Sequence, residues 1–501
     1  MSLAIVCSRA QVGVEAPCVT VEAHLANGLP ALTLVGLPET AVKESKDRVR
    51  SAILNSGFDF PARRITLNLA PADLPKDGGR FDLAIALGIL AASAQLPADA
   101  LADIECLGEL ALSGALRPVQ GVLPAALAAR EAGRTLIVPH ENAEEASLAG
   151  GLKVIAVGHL LEIAAHFTGQ TPLTPYEAQG LRRQEQPYPD LVDVQGQVAA
   201  KRALVVAAAG SHNLLLAGPP GTGKTLLASR LPGLLPPLNE FEALEVAAIH
   251  SVASHTPMAH WPQRPFRQPH HSASGPALVG GGSRPRPGEI TLAHQGVLFL
   301  DELPEFDRKV LEVLREPLES GEIVISRARD RVRFPARFQL VAAMNPCPCG
   351  YLGDPAGRCR CSPDQVQRYR GKLSGPLLDR IDMHITVARE SVRLGGPDTK
   401  NDSGRLTTQQ AAEQVAAARE RQLARQGVAN AFLDLRALHQ HCALTADDQR
   451  WIESAGERLG LSLRALHRVI KVARTLADLA AEPQILRSHL AEALQYRPAS
   501  A

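Results

Sequence analysis

The stretch that decides the fold reads Gly218-Pro219-Pro220-Gly221-Thr222-Gly223-Lys224-Thr225. It is a complete G-x-x-x-x-G-K-[ST] sequence, and loops of this kind wrap their backbone N–H groups around phosphate oxygens. The apolar run 213–217 before it indicates a buried strand, and 226–230 after it indicates the first turns of a helix. In this setting Lys224 can reach the β- and γ-phosphates of ATP, and the Thr225 hydroxyl can hold Mg²⁺. The sequence therefore predicts a nucleotide-binding α/β domain.

Two further strands are predicted to end in polar side chains. The apolar run 296–300 precedes Asp301 and Glu302, and a second run, 338–344, precedes Asn345. At the carboxyl end of a buried parallel strand, Asp301 can hold Mg²⁺, while Glu302 orients or deprotonates the attacking water. Asn345 can sense the γ-phosphate. The alternatives are a helix N-cap for the acidic pair and a strand-end turn for Asn345.

Length and composition limit the classes of protein. The chain has 501 residues, enough for about three domains. Lys and Arg number 53 against 52 Asp and Glu, so a nucleic-acid surface must be local rather than global. Aromatic residues make up 4%, so stacking of bases on exposed rings should not dominate any DNA contact. We expect no signal peptide and no membrane partner, and a cytoplasmic location.

The pattern along the chain predicts three domains. Residues 1–168 mix strand-like and helical runs and predict an α/β or α+β domain, and 169–189 reads as a linker. The ATPase core should cover 190–395. Residues 404–498 follow helical periodicity throughout and predict an all-α lid.

Several arginines are candidates for charge stabilisation during hydrolysis. Arg380, in the string LLDRID, can act on a nucleotide bound to a neighbouring subunit, or it can form an ordinary surface ion pair. Arg464 opens a predicted helix of the lid and can reach the γ-phosphate from there. Arg468 and Arg474, on the following turns, compete with Arg464 for that role.

A basic hairpin is predicted between the two strands that carry Glu302 and Asn345. Alternating residues on both sides of a short turn indicate the hairpin. Its cations are Arg327, Arg329, Arg331, Arg333 and Arg337. They can follow a phosphate backbone, or they can simply form a solvated face. A separate loop segment, 264–282, carries His270 and His271. These histidines can be ligands or DNA contacts, although packing within their loop is the simpler interpretation.

Four of the eight cysteines lie within fifteen residues, at positions Cys347, Cys349, Cys359 and Cys361. Two thiol pairs separated by a glycine-rich turn can fold into a tetrahedral site for structural Zn²⁺. The C-x-C spacing is tighter than the common C-x-x-C spacing, and free thiols are the alternative. No open coordination position is indicated, so a catalytic metal is not predicted.

The chain resembles the ComM/YifB family of magnesium-chelatase-like AAA+ proteins. The matching strings span most of its length: LAPADLPKDGGRFDLA (69–84), GPPGTGKT (218–225), RPFRQPHHSASGPALVGGG (264–282), PGEITLAHQGVLFLDELPEF (287–306), NPCPCGYLGDP (345–355), LLDRID (377–382) and LHRVIKVARTLADL (466–479). The resemblance implies a homo-hexameric AAA+ motor that engages DNA. The similarity of the chain to the ComM proteins further implies a helicase that promotes branch migration when single-stranded donor DNA integrates during natural transformation.

The same resemblance implies Arg380 as the residue supplied in trans and Arg464 as the sensor of the lid. The expected partners are single-stranded, forked or four-way-junction DNA, other copies of the chain, and recombination proteins. Two alternatives stay open, namely a magnesium-chelatase motor subunit that serves metal insertion, and a scaffold that uses ATP only to assemble.

The N-terminal domain resembles Lon-type proteases, with an S5-like α+β fold, around residues 74–78 and 108–121. Where that family has its nucleophilic serine this chain has Arg80, and the lysine position falls near Leu123. Neither side chain can act in the catalytic dyad. The resemblance therefore implies a Lon-like fold without proteolysis, and a role in DNA binding or ring assembly.

Overall fold

The computed structural model describes residues 3–36, 40–76, 78–178, 188–254, 261–282, 285–326, 331–353, 356–389 and 406–497. Of the predicted linker, 169–178 and 188–189 contain neither helix nor strand, and 179–187 lie outside the described residues. The described helices include none with the length and apolar character needed to cross a membrane.

The N-terminal part is built on a mixed seven-stranded sheet. Its strands, with those of one separate two-stranded ribbon (β6 and β7), are β1 (Leu3–Arg9), β2 (Cys18–Ala26), β3 (Ala31–Val35), β4 (Arg64–Ala70), β5 (Ile104–Cys106), β6 (Glu109–Leu110), β7 (Leu116–Arg117), β8 (Thr135–Pro139) and β9 (Val154–Val157). Its helices are α1 (Thr40–Asn55), α2 (Asp82–Ala92), α3 (Val122–Glu131), α4 (His140–Ser147) and α5 (Leu160–Phe167).

The strand order of this sheet is β3-β4-β2-β1-β5-β8-β9. Strand β2 runs antiparallel to both of its neighbours, and every other neighbouring pair is parallel. Helix α2 is buried at every position and packs on β1 and β2, which explains its lack of a polar face.

The central part carries a second, five-stranded sheet. Its strands and the neighbouring ribbons are β10 (Leu214–Ala217), β11 (Phe266–Arg267), β12 (Gly280–Gly281), β13 (Arg286–Pro287), β14 (Val297–Leu300), β15 (Glu322–Ser326), β16 (Arg331–Pro335), β17 (Gln339–Met344) and β18 (Met383–Thr386). Its helices are α6 (Val198–Gly210), α7 (Lys224–Ala228), α8 (Leu231–Leu234), α9 (Glu240–Ala253), α10 (Gly275–Val279), α11 (Glu289–Leu292), α12 (Arg308–Val313), α13 (Pro317–Ser320), α14 (Pro363–Arg370) and α15 (Gly375–Leu378).

All five strands of this sheet are parallel, in the order β11-β14-β17-β10-β18. Strands β14 and β17 are buried at every position, as expected of strands with neighbours on both sides and helices on both faces. The predicted α/β fold with a parallel sheet is confirmed. Because the strands are parallel, the residues that follow β10, β14 and β17 lie at one edge of the sheet.

The N-terminal part is packed against the central part through a tight turn. Val12 and Val14, between β1 and β2, pack against the apolar core around β15 and β16. Between them, Gly13 has a φ of +61°, and a β-carbon there would lie 2.6 Å from Val332 Cγ1. The close approach therefore requires glycine on both conformational and steric grounds.

The C-terminal part is a bundle of five helices, α16 (Thr408–Gln426), α17 (Leu435–His441), α18 (Ala446–Leu459), α19 (Leu463–Leu479) and α20 (Arg487–Gln495). Its apolar core is continuous with that of α6 and the central sheet. Arg419 and Gln422 donate to the last carbonyl groups of α6, at Ala208 and Ala209. These donors satisfy a helix end that would otherwise be buried without partners.

The bundle is held at the edge of the sheet opposite the phosphate loop. Helix α19 is fixed there, where Arg468 pairs with Asp382 at 2.5 Å just before β18 begins. Among the described residues, no hydrogen bond or ion pair joins the bundle to Gly218–Thr225. The lid over the nucleotide site stays a prediction, since helical periodicity identifies an apolar face but not the surface that it covers.

Asp382 is the buried anion that holds the bundle to the sheet. Its carboxylate accepts from the Asn213 backbone at 2.9 Å and from Arg468, and His212 Nδ1 lies 3.7 Å away. Burial alone would raise the pKa of Asp382, but His212 and Arg468 outweigh it and hold the pKa well below its usual range. The ionised carboxylate therefore stabilises the folded state.

We predict that Asp382→Ala destabilises the protein by about 3–5 kcal/mol, because it leaves the Arg468 charge partly buried without a partner. Thermal unfolding at neutral pH should reveal this loss. The folded-state pKa lies below the unfolded value of about 3.9, so the stabilisation is present above about pH 4 and is lost on acidification. The difference in thermal stability between the variant and the wild type should therefore become smaller as the pH falls.

The matched control is Asp447→Ala, which removes an exposed carboxylate paired with Arg450. An exposed pair of this kind contributes at most about 1 kcal/mol. Equal effects of the two substitutions would show that Asp382 does not anchor the bundle.

Candidate functional site

The phosphate loop connects β10 to α7 and has the backbone geometry that its glycines permit. Gly221 and Gly223 have φ angles of +77° and +85°, in the region that other residues rarely adopt. Gly218 lies so close to the chain after β18 that a β-carbon would be 2.3 Å from the Val387 carbonyl oxygen. The loop is therefore tightly held at its start and open around Gly221, where a β-carbon would meet nothing within 4 Å.

Lys224 is the central cation of the site. Its ammonium group donates to the carbonyl oxygens of Gly218 and Pro219, at 2.7 and 2.8 Å, and to Asn345 Oδ1 at 3.2 Å. Burial lowers the pKa of Lys224, and the nearby charges of Asp301 and Glu302 oppose this shift. The structure thus brings together Lys224, from the phosphate loop, and Asn345, which follows a different predicted strand.

Thr225 and Asp301 form the oxygen pair of the site. The Thr225 hydroxyl donates to Asp301 Oδ2 at 2.7 Å, across the gap between α7 and the end of β14. A hydroxyl and a carboxylate in contact are the hard ligands that Mg²⁺ prefers. Together with the Lys224 ammonium, this donor set fits a magnesium-bound nucleoside triphosphate.

Glu302 is held in an unusual conformation by two neighbours. Its φ angle is +52°, rare for a residue with a side chain, and its backbone N–H donates to Asp301 Oδ1 at 2.9 Å. Its carboxylate lies 3.1 Å from His271 Nδ1, so the side chain of the expected base points towards the loop after β11.

His271 is the functional residue whose role the sequence analysis missed. Packing within its own loop was the favoured interpretation for His270 and His271. The two rings do pack on each other, with centroids 4.1 Å apart, and His270 bonds the Ser272 hydroxyl. His271 in addition contacts the Glu302 carboxylate. The available signal was its position shortly after β11, a parallel neighbour of the strand that ends in Asp301 and Glu302.

Arg380 lies at the opposite edge of the sheet from the phosphate loop. It precedes β18, whose first residue, Met383, pairs with the first residue of β10. At about 3.3 Å per residue, the four-residue strand β10 separates that edge from the loop by about 13 Å. Arg380 pairs with Glu319 at 2.5 Å and donates to the Pro376 carbonyl oxygen. It is therefore not placed to contact the nucleotide of its own chain.

The three candidate arginines of α19 have different surroundings. Arg468 is committed to Asp382, and Arg474 is buried against Asp478 and the carbonyl oxygens of Glu482 and Pro483. Both therefore have structural roles. Arg464 is exposed at the first turn of the helix, on the side of the bundle that is anchored away from the phosphate loop.

The basic hairpin consists of β15 and β16, with Ser326 opposite Arg331. Along β16 the exposed Arg331 and Arg333 alternate with the buried Val332 and Phe334. Arg327 and Arg329 lie outside the described residues. Arg331 and Arg333 therefore share the exposed face, while the other face belongs to the core that receives Val12 and Val14. Arg337 is described too, but it lies beyond the end of β16, where its backbone N–H donates to His294.

The four clustered cysteines lie together just beyond Asn345. The Sγ atoms of Cys347, Cys349 and Cys359 are 3.4–3.8 Å apart, and all four sulfurs, including that of Cys361, lie within 4.8 Å of one another. Zinc–sulfur bonds of about 2.3 Å in a regular tetrahedron place the sulfurs about 3.8 Å apart. The cluster therefore fits a four-coordinate Zn²⁺ ion.

The backbone around these cysteines favours at least one thiolate. Hydrogen bonds from the N–H groups of Arg360 and Tyr351 lower the pKa of Cys349 to about 6. A thiolate, rather than a thiol, is the form that binds metal.

Comparison with known families gives matches over nearly the whole chain. The family described as magnesium chelatase, subunit ChlI, matches residues 190–394. Two more, described as subunit ChlI of Mg-chelatase and as its C-terminal part, match 21–142 and 405–497. A more distant relative, the magnesium-chelatase 38 kDa subunit of Cereibacter sphaeroides, is 29% identical over 39% of this chain and 57% of its own.

Other relatives are similar from end to end. Competence protein ComM of Haemophilus influenzae is 55% identical over 99% of this chain and 98% of its own length. The YifB proteins of Salmonella typhimurium and Escherichia coli are 53% and 52% identical over 99% of this chain and 97% of theirs. With the parallel sheet and the phosphate loop, these matches show that the chain belongs to the ComM/YifB family of magnesium-chelatase-like AAA+ ATPases.

Proposed function

We propose that this protein is a hexameric, ATP-driven motor that moves branched DNA during homologous recombination and natural transformation. The observation that carries the proposal is the position of the basic hairpin. The chain forms β15 and β16 between β14, which ends at Asp301 and Glu302, and β17, which ends at Asn345. A change at the nucleotide site can therefore reach the exposed Arg331 and Arg333 through two strands of one sheet.

ATP is the substrate of the proposed reaction, and Mg²⁺ neutralises phosphate charge when bound. Lys224 would hold the β- and γ-phosphates, and Thr225 and Asp301 would hold the ion. Glu302 would accept a proton from the attacking water once its carboxylate leaves His271. Asn345, fixed by Lys224, would orient the water or the γ-phosphate.

A ring of subunits would complete the site. Arg380 is about 13 Å or more from the edge that carries its own phosphate loop, by the strand length given above. We assign it to the nucleotide of the neighbouring subunit, where it would replace its contact with Glu319 by contact with the γ-phosphate. The exposed Arg464 lies on the same side of the bundle as the Arg468–Asp382 pair and would act across the same interface.

DNA would bind to the exposed face of the hairpin. Six copies of Arg331 and Arg333 in a ring would line a channel with positive charge and attract a phosphate backbone without reading its sequence. Such a contact suits single-stranded, forked or four-way-junction DNA, and recombination proteins would supply these structures. We place this activity in the cytoplasm.

The N-terminal domain would keep the Lon-like fold. The positions that are catalytic in Lon-type proteases, here Arg80 and Leu123, would instead help to attach this domain to the central part. Arg80 donates to the Gln120 carbonyl oxygen at 2.8 Å, and the next residue, Gly121, donates from its backbone to the Ser251 carbonyl oxygen of α9. The Leu123 N–H lies 3.3 Å from the Ser251 hydroxyl. These contacts would serve ring assembly by fixing the domain to the motor.

The cysteine cluster would hold one structural Zn²⁺ ion per chain. The sulfur spacing, given above, fits tetrahedral coordination. Four thiolates favour zinc over the magnesium that serves the nucleotide.

A magnesium-chelatase motor is the second candidate function, since the distant relative is a subunit of that enzyme. ATP turnover that responds to porphyrin and partner subunits, and to no DNA, would favour it. A scaffold that uses ATP only to assemble would instead need Lys224 for ring formation and would work without Glu302.

We predict that Glu302→Gln binds ATP but hydrolyses it about a hundredfold or more slowly, since an amide cannot accept the proton. Nucleotide binding and phosphate release should be measured with and without four-way-junction DNA. Glu305→Gln is the matched control, because that carboxylate is exposed and pairs with Lys372. Wild-type turnover by the Glu302 variant would remove this residue from the mechanism.

We predict that Arg380→Ala and Lys224→Ala proteins are each inactive but regain activity when mixed. If Arg380 acts in trans, random mixing at equal amounts leaves about a quarter of the sites with both groups intact. ATP turnover of the mixture, after exchange of subunits, should approach that fraction. No recovery, with mixed rings present by native mass spectrometry, would contradict action in trans.

We predict that the double variant Arg331→Ala, Arg333→Ala keeps its basal ATPase activity but loses DNA affinity and DNA-stimulated turnover. The plot of log K against log salt has a negative slope. Removal of two phosphate contacts should make this slope less steep by about 1.4 for single strands. Arg450→Ala, at an exposed site on α18, is the control. Unchanged affinity in the hairpin variant would exclude these arginines from the DNA contact.

A further inference from the structure

The cysteine cluster is built into the loop that follows Asn345. This residue ends the central strand β17 and accepts the hydrogen bond from Lys224. The first ligand, Cys347, is two residues further on and fully buried, and Cys349 follows after one residue. The loop returns through Cys359 and Cys361 to the capping box of α14, where Ser362 and Gln365 bond each other's backbone. The cluster therefore closes the segment between two fixed elements of the motor.

The turn that carries the first two thiols touches the phosphate loop. The Gly350 N–H donates to the Cys347 carbonyl oxygen at 2.9 Å, which closes the turn. A β-carbon at Gly350 would lie 2.7 Å from Pro220 Cδ and 3.8 Å from Asn345 Cγ. The turn thus packs closely against the loop that would hold the phosphates and lies near the amide that would face them.

The backbone of the segment is hydrogen-bonded, but without a cation the four sulfur atoms themselves have little to hold them together. Three of the sulfurs are 3.4–3.8 Å apart, where thiolates repel and thiols make only weak hydrogen bonds. A bound metal ion would replace this repulsion with four strong bonds. The ion would therefore determine whether the turn stays against Pro220.

We propose that Zn²⁺ bound by Cys347, Cys349, Cys359 and Cys361 stabilises the nucleotide site, so that the affinity for nucleotide increases with zinc occupancy. The inference rests on the ATP and zinc sites proposed above. Loss of the ion would release the turn from Pro220 and loosen Asn345 beside Lys224. The metal takes no part in the chemistry, since all four of its positions are filled by sulfur.

The test measures zinc and nucleotide binding separately, in the absence of DNA. Zinc should be quantified with a colorimetric chelator after thiol modification, and the Kd of a fluorescent ATP analogue should be measured on the full chain. We expect about one zinc ion per wild-type chain. Removal of the zinc should raise the Kd about tenfold, or about 1.4 kcal/mol, and added Zn²⁺ should restore it.

Two glycines give a matched pair of variants that leave every thiol in place. Gly350 and Gly353 have the same φ of +82°, but a β-carbon at Gly353 would meet none of the described residues within 4 Å. Both Ala variants carry the same backbone strain, and only Gly350→Ala pushes against Pro220. We expect both to retain zinc and only Gly350→Ala to bind nucleotide more weakly. Cys359→Ser should lose both zinc and affinity, whereas Cys442→Ser, a buried thiol elsewhere, should lose neither.

The outcomes separate the two proposals. Wild-type protein that neither contains nor takes up zinc would overturn the zinc site and, with it, the inference. Zinc-bearing protein whose zinc-free form binds nucleotide with unchanged Kd would overturn the inference alone. Equal nucleotide affinity of the Gly350 and Gly353 variants would also overturn it, and this comparison does not depend on whether Cys359→Ser folds.

Discussion

The parallel register of β10, β14 and β17 is the constraint on which the rest of the site depends. Each of these strands ends at the same edge of the sheet, and each delivers one polar group there. Lys224, Asp301 and Asn345 come from distant parts of the chain, yet they lie within hydrogen-bonding reach of one another or of Thr225. A shift of one residue in any strand pairing would move that strand's polar group by about 3.3 Å and break the set.

The sequence was sufficient for the parts of this site that are encoded locally. A glycine-rich loop between an apolar run and a helix leaves few alternatives, and fully apolar runs indicate buried parallel strands. Asp301 and Asn345 could be placed together because parallel strands share an edge. The sequence predicted that all four residues serve one nucleotide site, and the structure brings Asp301 to Thr225 and Asn345 to Lys224.

What the sequence could not supply were contacts across irregular segments and between domains. His271 lies on a loop without periodicity, and its position shortly after β11 was the signal that linked it to the strand before Glu302. The amphipathic pattern of α19 indicated that the helix packs against another element. The partner of its Arg468 is a polar residue, Asp382, which lies just before β18. Arg468 was accordingly a candidate sensor until its carboxylate partner was known.

The turn at Gly13 packs the N-terminal part into the apolar core of the central part. Val12 and Val14 fill space against the core beneath the hairpin, whose Val332 and Phe334 are nearly inaccessible to solvent. Removal of the N-terminal part would expose the apolar surface that Val12 and Val14 cover. The boundary between the first two domains is thus a division of the sequence, across which the two parts share apolar packing.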